Sequence, residues 1–328
     1  MLKLKYLIEN FELAKHCIGY WEHDEASLAE TLPWFRISSN AVYPFRQAQG
    51  LCFLRLSPAA EKTLAEVEDE TAAALWLREK GFPAMEPVPM RDGRYCALLS
   101  TPWGSYTACC FRQVAGQPLE SFPASRELIE GYGRTLGQLH RDLADCSVAG
   151  LRRSWRELLA SARQQLIDHR APEAMLACCD TLHSRLNALP PAPERYGLIH
   201  YDFEPDNVFF DPCTGQYAVI DFDDMIVGWY ALDVIRALDG LEDLSPGGVP
   251  MSPEEQRDCF LRGYRSRHPF SAADEAALPL MRSLVQLVEY AGLMHVLAEN
   301  LPAEPEWMAG LRQRLASKMQ ALEQLLSR

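Results

Sequence analysis

Three oxygen-bearing side chains lie at the ends of two short apolar segments in the second half of the sequence. Asp202 follows residues 198–201, Asn207 comes five positions later, and Asp221 ends the apolar segment 218–220. If the two segments are strands that end side by side, the three side chains surround one point. Asn and Asp oxygens suit Mg²⁺, which usually takes its other ligands from water and phosphates. Asp202 is then free to accept a proton from a substrate hydroxyl.

The pattern of these residues resembles the signature of a known family. The segment H-Y-D-F-E-P-D-N-V, followed by I-D-F, is similar to the H-x-D-x-x-x-x-N-[VI] and I-D-[FW] patterns of the aminoglycoside phosphotransferase and choline kinase family, a branch of the protein-kinase-like superfamily. The resemblance implies that Asp202 is the catalytic base and that Asn207 and Asp221 bind Mg²⁺ beside the ATP phosphates. His200 matches a histidine of the catalytic loop, for which bracing the loop is favoured over proton transfer. Asp223 either assists metal binding or caps the next turn.

The resemblance extends to the nucleotide-binding half of the family fold. Arg55, in the segment F-L-R-L, lies where the family places a basic residue that holds the α- and β-phosphates. Glu70, in the following predicted helix, matches the glutamate that pairs with it. Two alternatives stay open from the residues alone. Arg55 is also compatible with an exposed charge at a strand edge, and Glu66 or Glu68 could take the place of Glu70.

Four further residues are predicted to contact the nucleotide. Ser39 and Asn40 lie in the turn that covers the phosphates, which this branch builds without a G-x-G-x-x-G motif. Gln113 and Val114 fall where the hinge between the lobes meets adenine through backbone groups. All four assignments depend on the resemblance and not on the chemistry of the side chains.

Other residues near the signature either match the family or depart from it. Asp233 resembles the buried aspartate at a helix start that braces the catalytic loop. Tyr201 stands where the family more often has glycine or another small residue. The doubled acid Asp223-Asp224 resembles stress-response kinase-like proteins, whereas the segment D-N-V-F-F resembles bacterial type-II homoserine kinases. These features point to different acceptors, so the signature does not fix the substrate.

Charge and composition restrict the class of protein further. The 328 residues carry a net charge of −13, and residues 198–245 contain eleven acidic side chains and a single basic one, Arg236. Such a field repels phosphate backbones and anionic lipids, which argues against nucleic-acid and membrane partners and favours a cationic small-molecule acceptor. Ten cysteines without C-x-x-C spacing predict packing roles in a reduced, cytoplasmic location.

The alternation of helical and strand patterns predicts an α+β, bilobal protein-kinase-like fold. Residues 1–33 form a helical extension, and residues 34–115 form a small, mainly antiparallel, nucleotide-binding N-lobe with one inserted helix over 59–80. Residues 116–328 form a larger helical C-lobe that carries the catalytic and metal-binding loops. Its predicted elements are helices over 126–143, 155–169, 172–189 and much of 230–328, and strands over 197–201, 208–210 and 217–221.

The favoured function is ATP- and Mg²⁺-dependent transfer of the γ-phosphoryl group to a hydroxyl of a small cationic or amino-bearing metabolite: an amino alcohol, a homoserine-like molecule or an aminosugar. A protein Ser/Thr kinase of the stress-response type is an alternative. A nucleotide-binding pseudokinase would keep the fold, although such proteins normally lack a metal ligand or the base. Metal-dependent hydrolysis gives no reason for an N-terminal strand lobe. The oligomeric state stays open, with a homodimer as one option.

Overall fold

The chain forms a part built on a β-sheet and a mainly helical part. The structure is a computed structural model that describes residues 10–38, 40–150, 152–248, 250–298 and 306–327. Buried apolar side chains form two clusters, one between the N-terminal helices and the outer face of the sheet, the other running from the inner face of the sheet through the helical part. The second cluster therefore joins the two parts. This arrangement confirms the predicted bilobal α+β fold.

The N-terminal segment packs against the outer face of the sheet as short helices. Its two α-helices are α1 (Phe11–Ile18) and α2 (Leu28–Thr31). Trp21 lies between them, is fully buried, and donates its indole N–H to the Val88 carbonyl at 2.9 Å. The first nine residues of the predicted extension lie outside the described residues.

Six strands make up the sheet: β1 (Arg36–Ile37), β2 (Ala41–Gln47), β3 (Gly50–Pro58), β4 (Glu86–Pro87), β5 (Cys96–Thr101) and β6 (Gly104–Arg112). All pairs are antiparallel, in the order β1-β2-β3-β6-β4, with β5 also on β6. Residues opposite each other on paired strands share a face. Arg55 on β3 is opposite Cys109 on β6, so both lie on the inner face, whereas Leu54 and Cys110 belong to the outer cluster.

Helix α3 (Leu64–Glu79) connects β3 to β4 and packs on the inner face of the sheet. The predicted start at residue 59 is wrong, because the chain before Thr63 turns. The Thr63 hydroxyl accepts from the Glu66 N–H at 3.3 Å, and the Glu66 carboxylate accepts from the Thr63 N–H at 2.8 Å. This reciprocal capping box satisfies two N–H groups that have no partner inside the helix. It places the helix start at residue 64.

The helical part contains seven helices and five short strands among the described residues. The helices are α4 (Arg126–Leu143), α5 (Trp155–Asp168), α6 (Glu173–Asn187), α7 (Tyr230–Asp239), α8 (Pro253–Arg265), α9 (Ala272–Leu297) and α10 (Glu306–Leu326). The strands are β7 (Gln117–Pro118), β8 (Tyr196–Ile199), β9 (Val208–Asp211), β10 (Gln216–Val219) and β11 (Ile226–Trp229). Strands β10, β9 and β7 form one antiparallel sheet, and β11 pairs with β8. None of the helices described is long and apolar enough to cross a membrane.

Two features of this part correct the sequence predictions. The strand predicted over 217–221 ends at Val219, and Asp221 has a left-handed backbone with φ of +61° that no regular strand adopts. Strand β11, directly before α7, was not predicted. Because β7 already pairs with β9, we propose that the small lobe ends just before it, near the predicted residue 115.

Helices α4 and α8 touch backbone to backbone through glycines. A Cβ added to Gly133 would lie 2.0 Å from the Phe260 carbonyl oxygen, and one added to Gly263 would lie 1.9 Å from the Glu130 carbonyl oxygen. No side chain fits at either distance. The two glycines therefore set the close approach of α8 to α4.

Candidate active site

Asp202 and Asn207 are in direct contact in the loop between β8 and β9. The Asn207 amide nitrogen donates to the Asp202 carboxylate at 2.8 Å and to the Asp202 carbonyl at 3.0 Å. The Asn207 N–H donates to the Glu204 carbonyl at 3.0 Å, which closes the loop between the two residues. Since the amide nitrogen faces Asp202, the amide oxygen of Asn207 is the atom that a cation would contact.

Asp221 reaches the same region from the end of β10. The Ile220 N–H donates to the Asn207 carbonyl at 3.0 Å, which ties this chain segment to the loop that carries Asp202 and Asn207. Beyond it, the left-handed backbone of Asp221 directs the carboxylate to Arg55, whose nitrogen lies 3.3 Å away. Burial raises the pKa of Asp221 to about 6, and the Arg55 guanidinium opposes the rise. The structure thus brings the predicted Asp202, Asn207 and Asp221 into one region.

Arg55 and Glu70 form a buried ion pair beside Asp221. One Arg55 nitrogen donates to Glu70 at 2.7 Å and the other contacts the second carboxylate oxygen, a two-pronged arrangement. Arg55 is 6% exposed and Glu70 is fully buried, so Arg55 is not an exposed charge at a strand edge. Glu66 belongs to the capping box and Glu68 is exposed, which leaves Glu70 as the partner.

Asp223 binds donors of the small lobe. Its carboxylate accepts from the Asn40 amide at 3.0 Å and pairs with the Lys62 ammonium. Asn40 is in turn held by the Ser57 hydroxyl. The predicted metal ligand Asp223 is therefore engaged by a cation and an amide. Lys62 had no signal in the sequence, and Ser39, predicted beside Asn40, lies outside the described residues.

A cation at this site would depend on the amide oxygen of Asn207. Within the described ranges, no three His, Cys, Asp or Glu side chains form a group able to hold a metal ion. Asn207 and Asp221 together supply one neutral and one charged oxygen. Such a set suits an ion that takes its remaining ligands from water or phosphates.

His200 is fully buried and braces the loop. One ring nitrogen, Nε2, donates to the Ile220 carbonyl at 2.9 Å, and the other accepts from the Asp202 N–H at 3.3 Å. Both nitrogens are therefore in use, and the neutral form with the proton on Nε2 satisfies both bonds. The geometry supports the bracing role over proton transfer.

Asp233, at the start of α7, holds the turn that precedes Asp202. Its two oxygens accept from the His200 N–H at 2.8 Å and the Tyr201 N–H at 2.6 Å, and His140 Nε2 lies 3.0 Å away. Tyr201 has a φ of +65°, a conformation that glycine adopts easily and tyrosine rarely. This backbone explains why glycine suits the position, and the two bonds to Asp233 hold a tyrosine there.

Comparison with known proteins identifies the family. The model of the phosphotransferase enzyme family matches residues 37–280. The chain belongs to this family. The match covers both lobes and includes the contacts described above, which confirms the resemblance inferred from the sequence.

Several relatives of this phosphotransferase-family protein are informative. An uncharacterized protein of Deinococcus radiodurans is 30% identical over 69% of this chain and 66% of its own length. A homoserine kinase of Caulobacter vibrioides is 29% identical over 63% of each chain. The matches thus span slightly less than two thirds of these relatives' own length.

Among solved structures, the amicoumacin kinase hAmiN, in complex with AMP-PNP, Ca²⁺ and Ami, has a TM-score of 0.77 at 18% identity and covers 98% of both chains. A microcompartment-associated aminopropanol kinase has a TM-score of 0.66 at 24% identity over 97% of this chain and 98% of that one.

The predicted hinge residues of the phosphotransferase-family protein follow β6. Gln113 is exposed and donates its backbone N–H to the Leu51 carbonyl at 3.0 Å. Val114 is half-buried and packs against the cluster that joins the lobes. Gln113 therefore has its N–H committed to the sheet. The contact of either residue with adenine stays a prediction.

Two further residues, Arg236 and Glu204, lie beside Asp202. Arg236 of α7 donates to Asp202 at 2.6 Å and lies 3.2 Å from the Glu204 carboxylate. Burial raises the pKa of Glu204 to about 7, and Arg236 opposes the rise. Arg236 was not among the predicted site residues, although its position as the one base in an acidic segment was a usable signal.

Proposed function

We propose that this protein transfers the γ-phosphoryl group of ATP, with Mg²⁺, to a hydroxyl of a small amino-bearing metabolite. The observation that carries the proposal is the contact of Asp202 with Asn207, which is linked through the Ile220 backbone to Asp221. A base and two oxygen ligands are therefore neighbours, and Arg55 adds a cation beside them. Phosphoryl transfer depends mainly on such positioning and charge neutralisation.

The donor set fits a hard divalent ion. The Asn207 amide oxygen and the Asp221 carboxylate would hold it, because the Asn207 nitrogen is already bound to Asp202. A bound Mg²⁺ would offset negative charge on the phosphates. Arg55, fixed by Glu70, would contact the phosphates on the small-lobe side.

Asp202 would receive the acceptor hydroxyl. Its carboxylate is held by Asn207 and Arg236, so it meets the hydroxyl in a fixed orientation. Proton transfer to a positioned carboxylate typically contributes about 10²–10⁴-fold to the rate. We assign His200 no part in this step, because one ring nitrogen donates to the Ile220 carbonyl and the other accepts from the Asp202 N–H.

The charges near Asp202 favour an acceptor that carries an ammonium group. Glu204 and Asp206 lie in the same loop as Asp202, and Arg236 offsets part of the charge of Asp202 and Glu204. Two of the compared proteins are named as a homoserine kinase and an aminopropanol kinase, and both of the compounds in these names carry a hydroxyl and an amine. We therefore propose an amino alcohol or a hydroxylated amino acid as the acceptor class, ahead of larger aminosugars.

The test is an acceptor screen with ATP and Mg²⁺. ADP release is followed for 1-amino-2-propanol, L-homoserine, an aminoglycoside and a Ser-containing peptide, and phosphorus NMR identifies the product. Propane-1,2-diol is the matched neutral control for the first acceptor. We expect acceptor-dependent ADP release with the amino compounds, little with the diol, and none with Asp202→Asn. Turnover of the peptide alone would support the protein-kinase alternative, and ATP binding without any turnover would support the pseudokinase.

A further inference from the structure

A basic side chain reaches the catalytic loop from α7. Arg236 is the one base among eleven acids in residues 198–245. The same terminal nitrogen donates to Asp202 Oδ1 at 2.6 Å and lies 3.2 Å from Glu204 Oε1. Hydrogen bonds between charged groups are directional as well as strong. One guanidinium thus fixes two neighbouring carboxylates that would otherwise repel each other.

Arg236 also covers the ring of Tyr201. Its guanidinium carbon lies 5.0 Å from the ring centre, within the range of a cation–π contact. Tyr201 is buried and has the left-handed backbone described above. The arginine therefore holds the side chain of this residue as well as the carboxylate of the next one, Asp202.

The Asp202 carboxylate is held at both oxygens. Oδ1 accepts from Arg236 and Oδ2 accepts from Asn207 at 2.8 Å. A carboxylate oxygen has two lone pairs, so a hydroxyl can still bind, but only in the directions that these donors leave open. We infer that Arg236 is a positioning residue, which sets the plane of the Asp202 carboxylate toward the acceptor hydroxyl and keeps Glu204 beside it. This inference rests on the proposed function.

The test compares Arg236→Met and Arg236→Lys with a control, Arg282→Met. Arg282 is an exposed arginine that pairs with Asp239, the last residue of α7. The measurements are kcat and KM for the best acceptor of the screen, the Kd for ATP, and the free energy of unfolding. We expect Arg236→Met to lower kcat about 10- to 100-fold, because a misplacement of about 1 Å at a reacting group can cost about 10²-fold.

The other measurements separate positioning from general stability. The Kd for ATP and the acceptor KM should change less than about threefold, since a group that acts in the transition state affects mainly kcat. Arg236→Lys should recover part of kcat, because an ammonium can pair with Asp202 but lacks the planar guanidinium that lies over the Tyr201 ring. Arg282→Met should match the unmutated protein in all values.

Each outcome decides the inference. A kcat for Arg236→Met equal to that of the control would overturn it, as would parallel losses in kcat and ATP affinity. If Arg236→Met does not fold, Arg236→Lys decides in the same way: lower kcat with unchanged ATP affinity supports positioning, and unchanged kcat overturns it. An unmutated protein that binds ATP but phosphorylates no acceptor would overturn the proposed function, and this inference with it.

Discussion

Replacement of Asp233 by two different residues is expected to give two different losses of stability. In Asp233→Ala, the N–H groups of His200 and Tyr201 and the ring nitrogen of His140 all lose their acceptor inside a fully buried site. A buried donor without a partner costs about 1–3 kcal/mol, so three cost roughly 3–9 kcal/mol of unfolding free energy.

Asp233→Asn should cost much less. The amide oxygen can still accept from the Tyr201 N–H. The amide nitrogen can donate to His140 Nε2 if the imidazole proton moves to Nδ1. This tautomer is available because His140 Nδ1 lies 2.7 Å from the Tyr264 hydroxyl, which can accept that proton in a hydrogen bond. The His200 N–H alone is left without an acceptor, at a cost of about 1–3 kcal/mol. The alanine variant should therefore lose about three times as much free energy as the asparagine variant.

The assay is urea unfolding followed by tryptophan fluorescence, with the m-value checked for two-state behaviour. Asp239→Asn is the matched control, because Asp239 lies on the same helix in an exposed pair with Arg282, and its loss should stay within about 0.5 kcal/mol. Equal losses for the two Asp233 variants would refute this account of the bonds. So would an alanine variant as stable as the control. An alanine variant that does not fold agrees with the account, and Asp233→Asn then supplies the measured value.

Three further predictions concern packing and protonation. Glu70→Ala should cost about 3 kcal/mol in urea unfolding, the lower end of the range for breaking a buried ion pair, because Arg55 loses its two-pronged partner but keeps Asp221. Glu68→Ala, exposed on the same helix, should stay within about 0.5 kcal/mol. Gly263→Ala should lower the free energy of unfolding by about 1–3 kcal/mol, because its Cβ overlaps with α4. Gly292→Ala, in open space on α9, should raise the free energy of unfolding by about 0.5–1 kcal/mol. Changes of the same sign in the two variants would contradict the described glycine contacts. Burial lowers the pKa of His268, so the histidine is protonated at higher pH in the unfolded chain than in the folded protein. The free energy of unfolding should therefore fall as the pH drops below about 6.5, by at most about 1.4 kcal/mol per pH unit. In His268→Asn the decrease over the same pH interval should be smaller.

The family and the fold were predictable because they follow from local spacing. The signature around Asp202 and Asn207 fixes the order of residues in one loop, and the alternation of patterns fixes the two lobes. Confirmation came from the family match and from the solved structures of similar fold. The start of α3 was missed because a cap, rather than apolar spacing, decides where a helix begins.

The contacts between distant segments were harder to predict. The choice of Glu70 over its neighbours depends on which side of α3 faces the sheet, and the spacing alone left three candidates. Lys62 meets Asp223 across 161 positions of sequence, and no local pattern announces such a pair. The strand ends two residues earlier than predicted, before the left-handed backbone of Asp221. The prediction failed there because local strand propensity does not reveal a single unusual φ. The roles of the predicted site residues stay proposals until the variants are measured.

Two acidic residues of the large lobe, Asp221 and Asp223, are held by donors that belong to the small lobe. Arg55 meets Asp221, and Lys62 and Asn40 meet Asp223, so these attractions hold the two lobes together. Dissolved ions weaken attraction between charges wherever water reaches them. Arg55 and Asp223 are buried, so the contact between the lobes should change little between dilute buffer and concentrated salt.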